Sequence, residues 1–398
     1  MKIKNFLFFP SFFQEEAYTP SSFDDFDPSY IFLQKGSLLV KDKESISFDG
    51  FLDGSMQIFK IANASLTGTP LYVATLSAVI LIRGKDKLLK DTHYSTSLNL
   101  ILFPFNAYRQ LIPENNILLC EFEKRLEKAI INSGGKLFSE ADVAINKKGA
   151  ISVLNEKSRW LTCDLTNPGV AEKSENKILI TLNDLYNPAR IKEVARSRTR
   201  YILSLLEFYC LYKFYQENPH KWIMVDGLIP PIKRLKASFG DIDAFYKAII
   251  QGSIGFIKNP RKIPEKDVKE IMKLKQGEYR LYIGMGAESE IYEEGISEES
   301  EEPFLFAFMR FRSSPFIEEG PTGIIKLQIG DPNDKDREDI NNIIYAVFRE
   351  RLPFPSDKKR FFNESFPIEE AEKVAKSRLS SEDQIKGFMH SLIPIHPY

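Results

Sequence analysis

The sequence predicts an α/β fold: a mixed β-sheet, an antiparallel meander joined by a parallel strand, flanked by helices and interrupted by insertions. Three observations predict it. The run Lys221-Trp222-Ile223-Met224-Val225-Asp226-Gly227-Leu228 is apolar, too short for a helix, and set between Pro219 and Pro230-Pro231, so it reads as a buried strand. The earlier stretch Phe51-Leu52-Asp53-Gly54-Ser55 repeats the Asp-Gly signature and runs on into strand-like sequence. Between them, residues 189–217 carry a helical pattern that is apolar almost all round from Tyr201 onward, as expected of a helix buried against a sheet.

The whole chain sets the frame. Its 398 residues can bury one large core or two domains. Hydrophobic residues make up 43% and charged residues 27%, an ordinary globular balance, and the formal net charge of −1 gives no global signature of nucleic-acid binding. Cys120, Cys163 and Cys210 lie far apart, form no Cys-x-x-Cys pair and read as buried free thiols, which fits a reducing cytoplasm. The opening Met1-Lys2-Ile3-Lys4-Asn5-Phe6-Leu7-Phe8-Phe9-Pro10 resembles a signal peptide only superficially: its apolar run is short and is followed by Glu15 and Glu16, not by a small-residue cleavage site. The longest apolar stretch, residues 71–82, is too short to span a bilayer as a helix, so no membrane partner is expected.

In chain order, residues 1–45 are rich in Phe, Ser, Pro and Asp. Phe6, Phe8, Phe9, Phe12 and Phe13 either pack on the core or form a docking or dimer surface. Residues 46–380 form the main domain. Strands are expected at 56–65 and 71–83 around a turn at Thr67-Gly68-Thr69-Pro70, giving a three-stranded meander with Asp53 near its start. Residues 84–185 read as an elaboration between the meander and the long helix. They hold a helix over 121–131, ended by Ser133-Gly134-Gly135, and strand-like pieces at 150–154, 160–165 and 177–182, the last after a loop at 167–177. Asn187-Pro188 starts the long helix, on which Arg196, Arg200, Ser204 and Glu207 share one face. A further helix runs from Lys233 to Ile249. Residues 288–302 carry eight glutamates and no basic residue, and read as a solvated loop between strands. Residues 304–312 are strand-like with Arg310 and Arg312 on one side; 331–339 is a polar loop or helix entry. Helices follow at 341–351 and 366–378, and residues 381–398 form an extended tail.

Two features carry chemistry. A carboxylate at the end of a buried strand, or on a buried helix as at Glu207, is costly unless a metal, a cation or hydrogen bonds compensate it; for Glu207 an ion pair with a nearby arginine competes with a metal-ligand role. Residues 187–262 hold 14 Lys and Arg against 6 Asp and Glu, a basic excess around the acids that suits a polyanionic backbone, although a solvated helix face would show the same excess. His93, His220, His390 and His396 form no zinc-like cluster with cysteine, and no Gly-rich loop ending in Lys-Ser or Lys-Thr occurs, so any ATP-driven motor must be a partner.

The order Asp on the meander, Glu on the following helix, Asp on the next strand and an acidic position on a late helix resembles the ribonuclease H-like fold, and within it the NurA nucleases, partners of the HerA-type hexameric ATPase. Four stretches carry the resemblance: Leu52-Asp53-Gly54-Ser55; Arg200 through Glu207; Ile223-Met224-Val225-Asp226-Gly227-Leu228 with Gly255-Phe256-Ile257-Lys258; and Phe366-Pro367-Ile368-Glu369-Glu370-Ala371-Glu372-Lys373-Val374-Ala375. The resemblance implies a nuclease dependent on Mn2+ or Mg2+ that acts on DNA ends as a homodimer beside the ATPase. It implies metal ligation by Asp53, Glu207 and Asp226, with Lys258 close to the phosphate. Two cations so held would activate water and stabilise the leaving oxygen in phosphodiester cleavage. Glu372 stands where the family has histidine; it can ligate a hard cation but cannot shuttle a proton as imidazole does. Phe308, where an aromatic hydroxyl is expected, is a second departure. Arg196, Arg200, Lys233, Arg234, Lys236, Arg261 and Arg310 are the expected contacts to the DNA backbone. The rival reading is a non-catalytic subunit that keeps the fold for DNA binding or assembly, its carboxylates dispersed or neutralised by Arg196 and Arg200.

Overall fold

A computed structural model describes residues 30–38, 46–64, 67–111, 116–167, 180–260, 263–285, 303–313, 320–331, 339–353 and 363–392. Strand β1 (Tyr30–Ser37) is followed by two 14-residue strands, β2 (Gly50–Asn63) and β3 (Pro70–Arg83), then β4 (Leu89–Asp91) and β5 (Thr96–Phe103). Helices α1 (Phe105–Leu111) and α2 (Asn116–Asn132), strand β6 (Lys136–Ser139), helix α3 (Ala150–Leu154) and strand β7 (Arg159–Asp164) come next. The 30-residue helix α4 (Pro188–Glu217) leads into β8 (Ile223–Asp226), α5 (Ile232–Phe239), α6 (Asp243–Gly252) and β9 (Ser253–Ile257). The remaining elements are α7 (Val268–Met272), β10 (Glu278–Met285), β11 (Pro303–Arg310), β12 (Ile324–Gln328), α8 (Ile340–Arg349), α9 (Phe366–Ser377) and α10 (Glu382–His390).

The twelve strands of the described residues join one mixed sheet in the order β1-β10-β11-β12-β9-β8-β2-β3-β5-β7-β6, with β4 beside β3. β2, β3 and β5 form the antiparallel meander, and β8 lies parallel to β2 on one side and to β9 on the other. The long hairpin follows from sequence: β3 is apolar and buried along nearly its whole length, as a strand covered on both faces must be. Leu52, Ala78 and Ile80 pack with Leu205, Leu206 and Phe208 of α4, whereas Val79 and Leu81 pack with Ala371 and Ala375 of α9. Helix α4 begins where Asn187 accepts the Arg190 N–H and Pro188 occupies the first turn.

Several expectations change. The meander's third strand is β5, inside the stretch 84–185, and Asp53-Gly54 lies within continuous strand. Residues 150–154 are helical, the turn starting at Gly149 with φ +76. The helix expected over 233–249 is two helices, broken at Gly240 (φ +76). Residues 180–182 are not strand. The expected tail contains α10, whose Ile385 and Met389 are buried against Val73, Ile101 and Trp160 because they share one helix face. Part of the N-terminal segment is the edge strand β1, paired with β10. Cys163 and Cys210 are buried free thiols, but Cys120 is exposed. The phenylalanines at 6–13, the glutamate run 288–302, most of 331–339 and the tail 394–398 lie outside the described residues. Among the described residues no helix is long and apolar enough to cross a membrane.

Candidate active site

The parallel strands β2 and β8 are in register at Gly50 with Ile223, Phe51 with Met224 and Leu52 with Val225. The next residue on each strand is an aspartate, Asp53 and Asp226. Phe51 and Met224 share one apolar cluster with Ile368 of α9, so the pleat puts both aspartates on that same face of the sheet. Beyond this point β2 continues against β3 alone, while β8 ends and the chain turns at Gly227 (φ +87), whose N–H donates to the Phe256 carbonyl at 2.9 Å. The crevice at the carboxyl ends of diverging parallel strands is where α/β sheets bind ligands.

Glu207 reaches this point from α4. A Cβ placed on Gly54 would stand 2.0 Å from Glu207 Oε1 and 2.9 Å from its Cδ. The missing side chain at position 54 is therefore what lets the Glu207 carboxylate lie against the α4 face of β2, across the strand from the Asp53 side chain. Lys258, directly after β9, places its ammonium 2.8 Å from Glu364 Oε2, 3.1 Å from Asp226 Oδ2 and 3.8 Å from Glu372 Oε2. Glu372 projects from α9 and also takes an ion pair from Lys376 at 2.6 Å. Of the residues named from sequence, Asp226, Lys258 and Glu372 are linked by ion pairs, and Asp53 and Glu207 lie within electrostatic reach of them.

The electrostatics are those of crowded acids. Asp53 is 4% exposed, and its Oδ2 has no hydrogen-bond partner among the described residues. Burial holds its carboxyl well above the ordinary range; Asp226, Glu207 and Glu372 add to this and Lys258 opposes it. Burial and Asp226 push Glu207 up to about 8. Burial would lower Lys258, but Asp226, Asp53 and Glu364 outweigh it and hold the ammonium above the usual lysine range.

An all-oxygen donor set with an orphaned buried carboxylate oxygen fits a hard cation such as Mn2+ or Mg2+ in chemistry. In spacing it does not: among the described residues no group of three or more His, Cys, Asp or Glu is arranged to hold a metal ion. Lys258 stands among the carboxylates instead.

Sequence reasoning missed Glu364, whose side chain is fully buried and whose oxygen is the closest to Lys258. The available signal was a lone carboxylate in Phe361-Phe362-Asn363-Glu364-Ser365-Phe366-Pro367, between aromatics and ahead of a helix start. It also missed Arg198, which is buried and pairs with Glu140 at 2.8 Å while donating to the Asn167 carbonyl. Arg196 and Arg200 are exposed on α4, and neither pairs with Glu207 among the described residues. Lys236 is exposed and pairs with Asp243 at 2.7 Å. Lys233 and Arg234 belong to α5, and Arg261 lies outside the described residues. Arg310 corrects an expectation: it is 1% exposed, and its guanidinium donates to the carbonyls of Leu274, Thr322, Met272 and Gly320. A cation so committed ties loops together and does not face a DNA backbone. Phe308 is fully buried in an apolar cluster with Tyr282 and Ile324.

Compared with known proteins, the chain matches no protein-family model and no curated protein.

Proposed function

We propose that the chain is a divalent-metal-dependent nuclease with a ribonuclease H-like core, acting on DNA ends. One observation carries the reading: Asp53 and Asp226 leave the last β2–β8 register pair together on one face, with Glu207 over Gly54 on the opposite face of β2 and within electrostatic reach of both. The β5-β3-β2 meander with β8 parallel to β2 supports the same fold reading. When bound, Mn2+ or Mg2+ would supply Lewis acidity for in-line phosphodiester cleavage. Asp53, Glu207 and Asp226 are the residues that would hold it. The Lys258 ammonium offers a fixed positive charge to a phosphate oxygen, and Arg196 and Arg200 extend that charge along α4. A homodimer working beside a HerA-like hexameric ATPase belongs to this proposal through the resemblance alone.

A second reading, a DNA-binding or assembly subunit without catalysis, is favoured by two features. Lys258 already neutralises part of the acid cluster, and Glu372 replaces the family's histidine. Cleavage of end-labelled single- and double-stranded DNA with manganese, magnesium or chelator, with and without a candidate ATPase, separates the two. Metal-dependent cleavage lost in both Asp53→Ala and Asp226→Ala is the expected result. Folded wild-type protein that binds DNA and never cuts it, even with the partner, would reverse the order of the two readings.

A further inference from the structure

We infer that the open edge of β2, flanked by Lys60, Arg196 and Arg200, is a track for one unpaired strand of nucleic acid leading to the acidic crevice. The track rests on the nucleic-acid reading above and deepens it by naming the substrate as a single strand; it needs no bound cation.

β2 pairs with β3 along its whole length but with β8 only from Gly50 to Leu52. The Gly50 N–H donates to the Trp222 carbonyl at 3.2 Å, so the even-numbered residues that follow turn their N–H groups to the β8 side. Past Leu52 no strand lies on that side among the described residues, and the N–H groups of Met56 and Ile58 meet no ladder partner there. A row of unpaired N–H and C=O groups is a template for a partner. Both faces of the strand are covered. Met56 and Ile58 pack into the cluster that holds Leu205 and Leu206 of α4, and Phe59 packs into the one that holds Ile385 and Met389 of α10. The open edge is therefore the floor of a slot whose walls are helices about 10 Å thick.

The α4 side of this slot is basic. Lys60 stands opposite Tyr72 of β3, and the pair shares the face that α4 covers. Arg196 reaches the same place: its charge offsets part of the rise that burial imposes on the Tyr72 hydroxyl. Arg200 follows on the same helix face, and Leu203 and Glu207 close over Gly54. Lys60, Arg196 and Arg200 are exposed, and Met56, Ile58 and Leu203 between them are half-buried. From Lys60 to Gly54 the strand extends about 20 Å, and from Arg196 to Glu207 the helix rises about 16 Å, so edge and cations run side by side toward the crevice. Exposed cations and free N–H donors suit a phosphodiester backbone, and half-buried apolar side chains offer a surface to unstacked bases. A duplex is a stiff rod that cannot sink between the helices to reach the strand edge, whereas an unpaired strand can. A peptide added as a further strand would suit the edge alone; the three cations beside it favour a polyanion.

The test is residue-resolved hydrogen exchange of the full chain with a short oligothymidylate, its duplex with oligoadenylate, or no DNA, all in chelator. The Met56 and Ile58 amides are expected to exchange fast in the free chain and to be slowed roughly tenfold or more by the single strand. The duplex is expected to leave them unprotected. Fluorescence anisotropy supplies the second readout, with Lys60→Ala melted first to establish folding. This variant is expected to bind the single strand roughly fivefold more weakly at low salt, with a salt slope reduced by about 0.7. Single-strand binding that leaves both amides unprotected overturns the inference and leaves the nucleic-acid reading standing. Equal protection by the duplex overturns it as well, as does a folded Lys60→Ala with wild-type affinity and slope. Protection that grows with protein concentration in the absence of DNA gives the edge to a second copy of the chain and rejects the track. Wild type that binds neither form of DNA overturns the track and the nucleic-acid reading together.

Discussion

Asp53 and Asp226 occupy the two positions that directly follow Leu52 and Val225, the last register pair of the parallel strands β2 and β8. The sheet thereby holds two carboxylates on one face where its strands diverge, and Asp53 Oδ2 is buried with no hydrogen-bond partner among the described residues. A folded chain that keeps an orphaned, repelled carboxylate is less stable than it could be, and such residues concentrate at functional sites.

The first prediction follows from that cost. Where Asp53 is ionised, at the high end of the pH range, Asp53→Asn removes its repulsion with Asp226, Glu207 and Glu372 while keeping the shape of the side chain. The metal-free variant should melt a few degrees higher than wild type, roughly the shift expected for about 1 kcal/mol. It should also lose metal-dependent DNA cleavage. A lower melting point in chelator would show that Asp53 is satisfied by contacts other than a cation.

A second prediction concerns Gly54. An alanine there would bring its Cβ to 2.0 Å from Glu207 Oε1, and the atoms in its way are the end of a side chain, not backbone. The cheap response is displacement of the Glu207 carboxylate, with Leu203 Cδ1 at 3.1 Å adjusting slightly. Gly54→Ala should therefore fold and melt near wild type. Cleavage should fall by about 100-fold, the scale on which an ångström of misplacement acts at a reacting centre. Unchanged cleavage in a folded Gly54→Ala would remove Glu207 from the mechanism.

The contrast between Glu207 and Glu364 shows what the sequence could convey. Glu207 was legible because it interrupts an apolar helical run, where a carboxylate has no local excuse. The Asp-Gly pairs were legible because short apolar runs bounded by prolines read as strands. Glu364 was not, since a glutamate one residue ahead of a Ser-started helix is ordinary surface chemistry; its burial comes from Lys258 and Arg312, which are distant in sequence. Arg198 escaped for the same reason: its partner Glu140 lies 58 positions away. β5 was hidden inside a segment with no strong period, and its pairing with β3 is a tertiary fact. Residues 150–154 read as strand from Ile151 and Val153, but the turn at Gly149 sets them into a helix.

A third prediction separates two kinds of arginine. Arg310→Ala leaves the Leu274, Thr322, Met272 and Gly320 carbonyls without their donor inside the protein, which should cost about 3 kcal/mol or more. Chemical denaturation measures this directly. Arg196→Ala and Arg200→Ala, at exposed positions, should leave stability within about 0.5 kcal/mol. They should weaken DNA binding at low salt, each lowering the salt dependence by about one phosphate contact. Salt titrations of DNA affinity unchanged in both variants would place the strand elsewhere on the molecule.

The fourth prediction is a pH dependence whose sign follows from Glu207. In the unfolded chain this glutamate ionises near its ordinary value of 4.5; in the fold, burial and Asp226 delay ionisation to about 8. Between those values the folded chain binds the extra proton, so stability is greatest below the lower value and falls as pH rises toward the upper one. Asp53, shifted the same way, adds to the trend. A cation reverses it, because binding requires the ionised carboxylate: Mn2+ affinity should climb with pH up to about 8 and then flatten, with protons released on binding. Melting curves in chelator from pH 5 to 9 measure the first effect, and Mn2+ titrations in buffers of different ionisation enthalpy measure the second. Glu207→Gln should flatten the melting profile over this range. If instead the metal-free protein grows more stable from pH 5 to 8, Glu207 is already ionised in the fold, and Lys258 supplies the counter-charge assigned here to the metal.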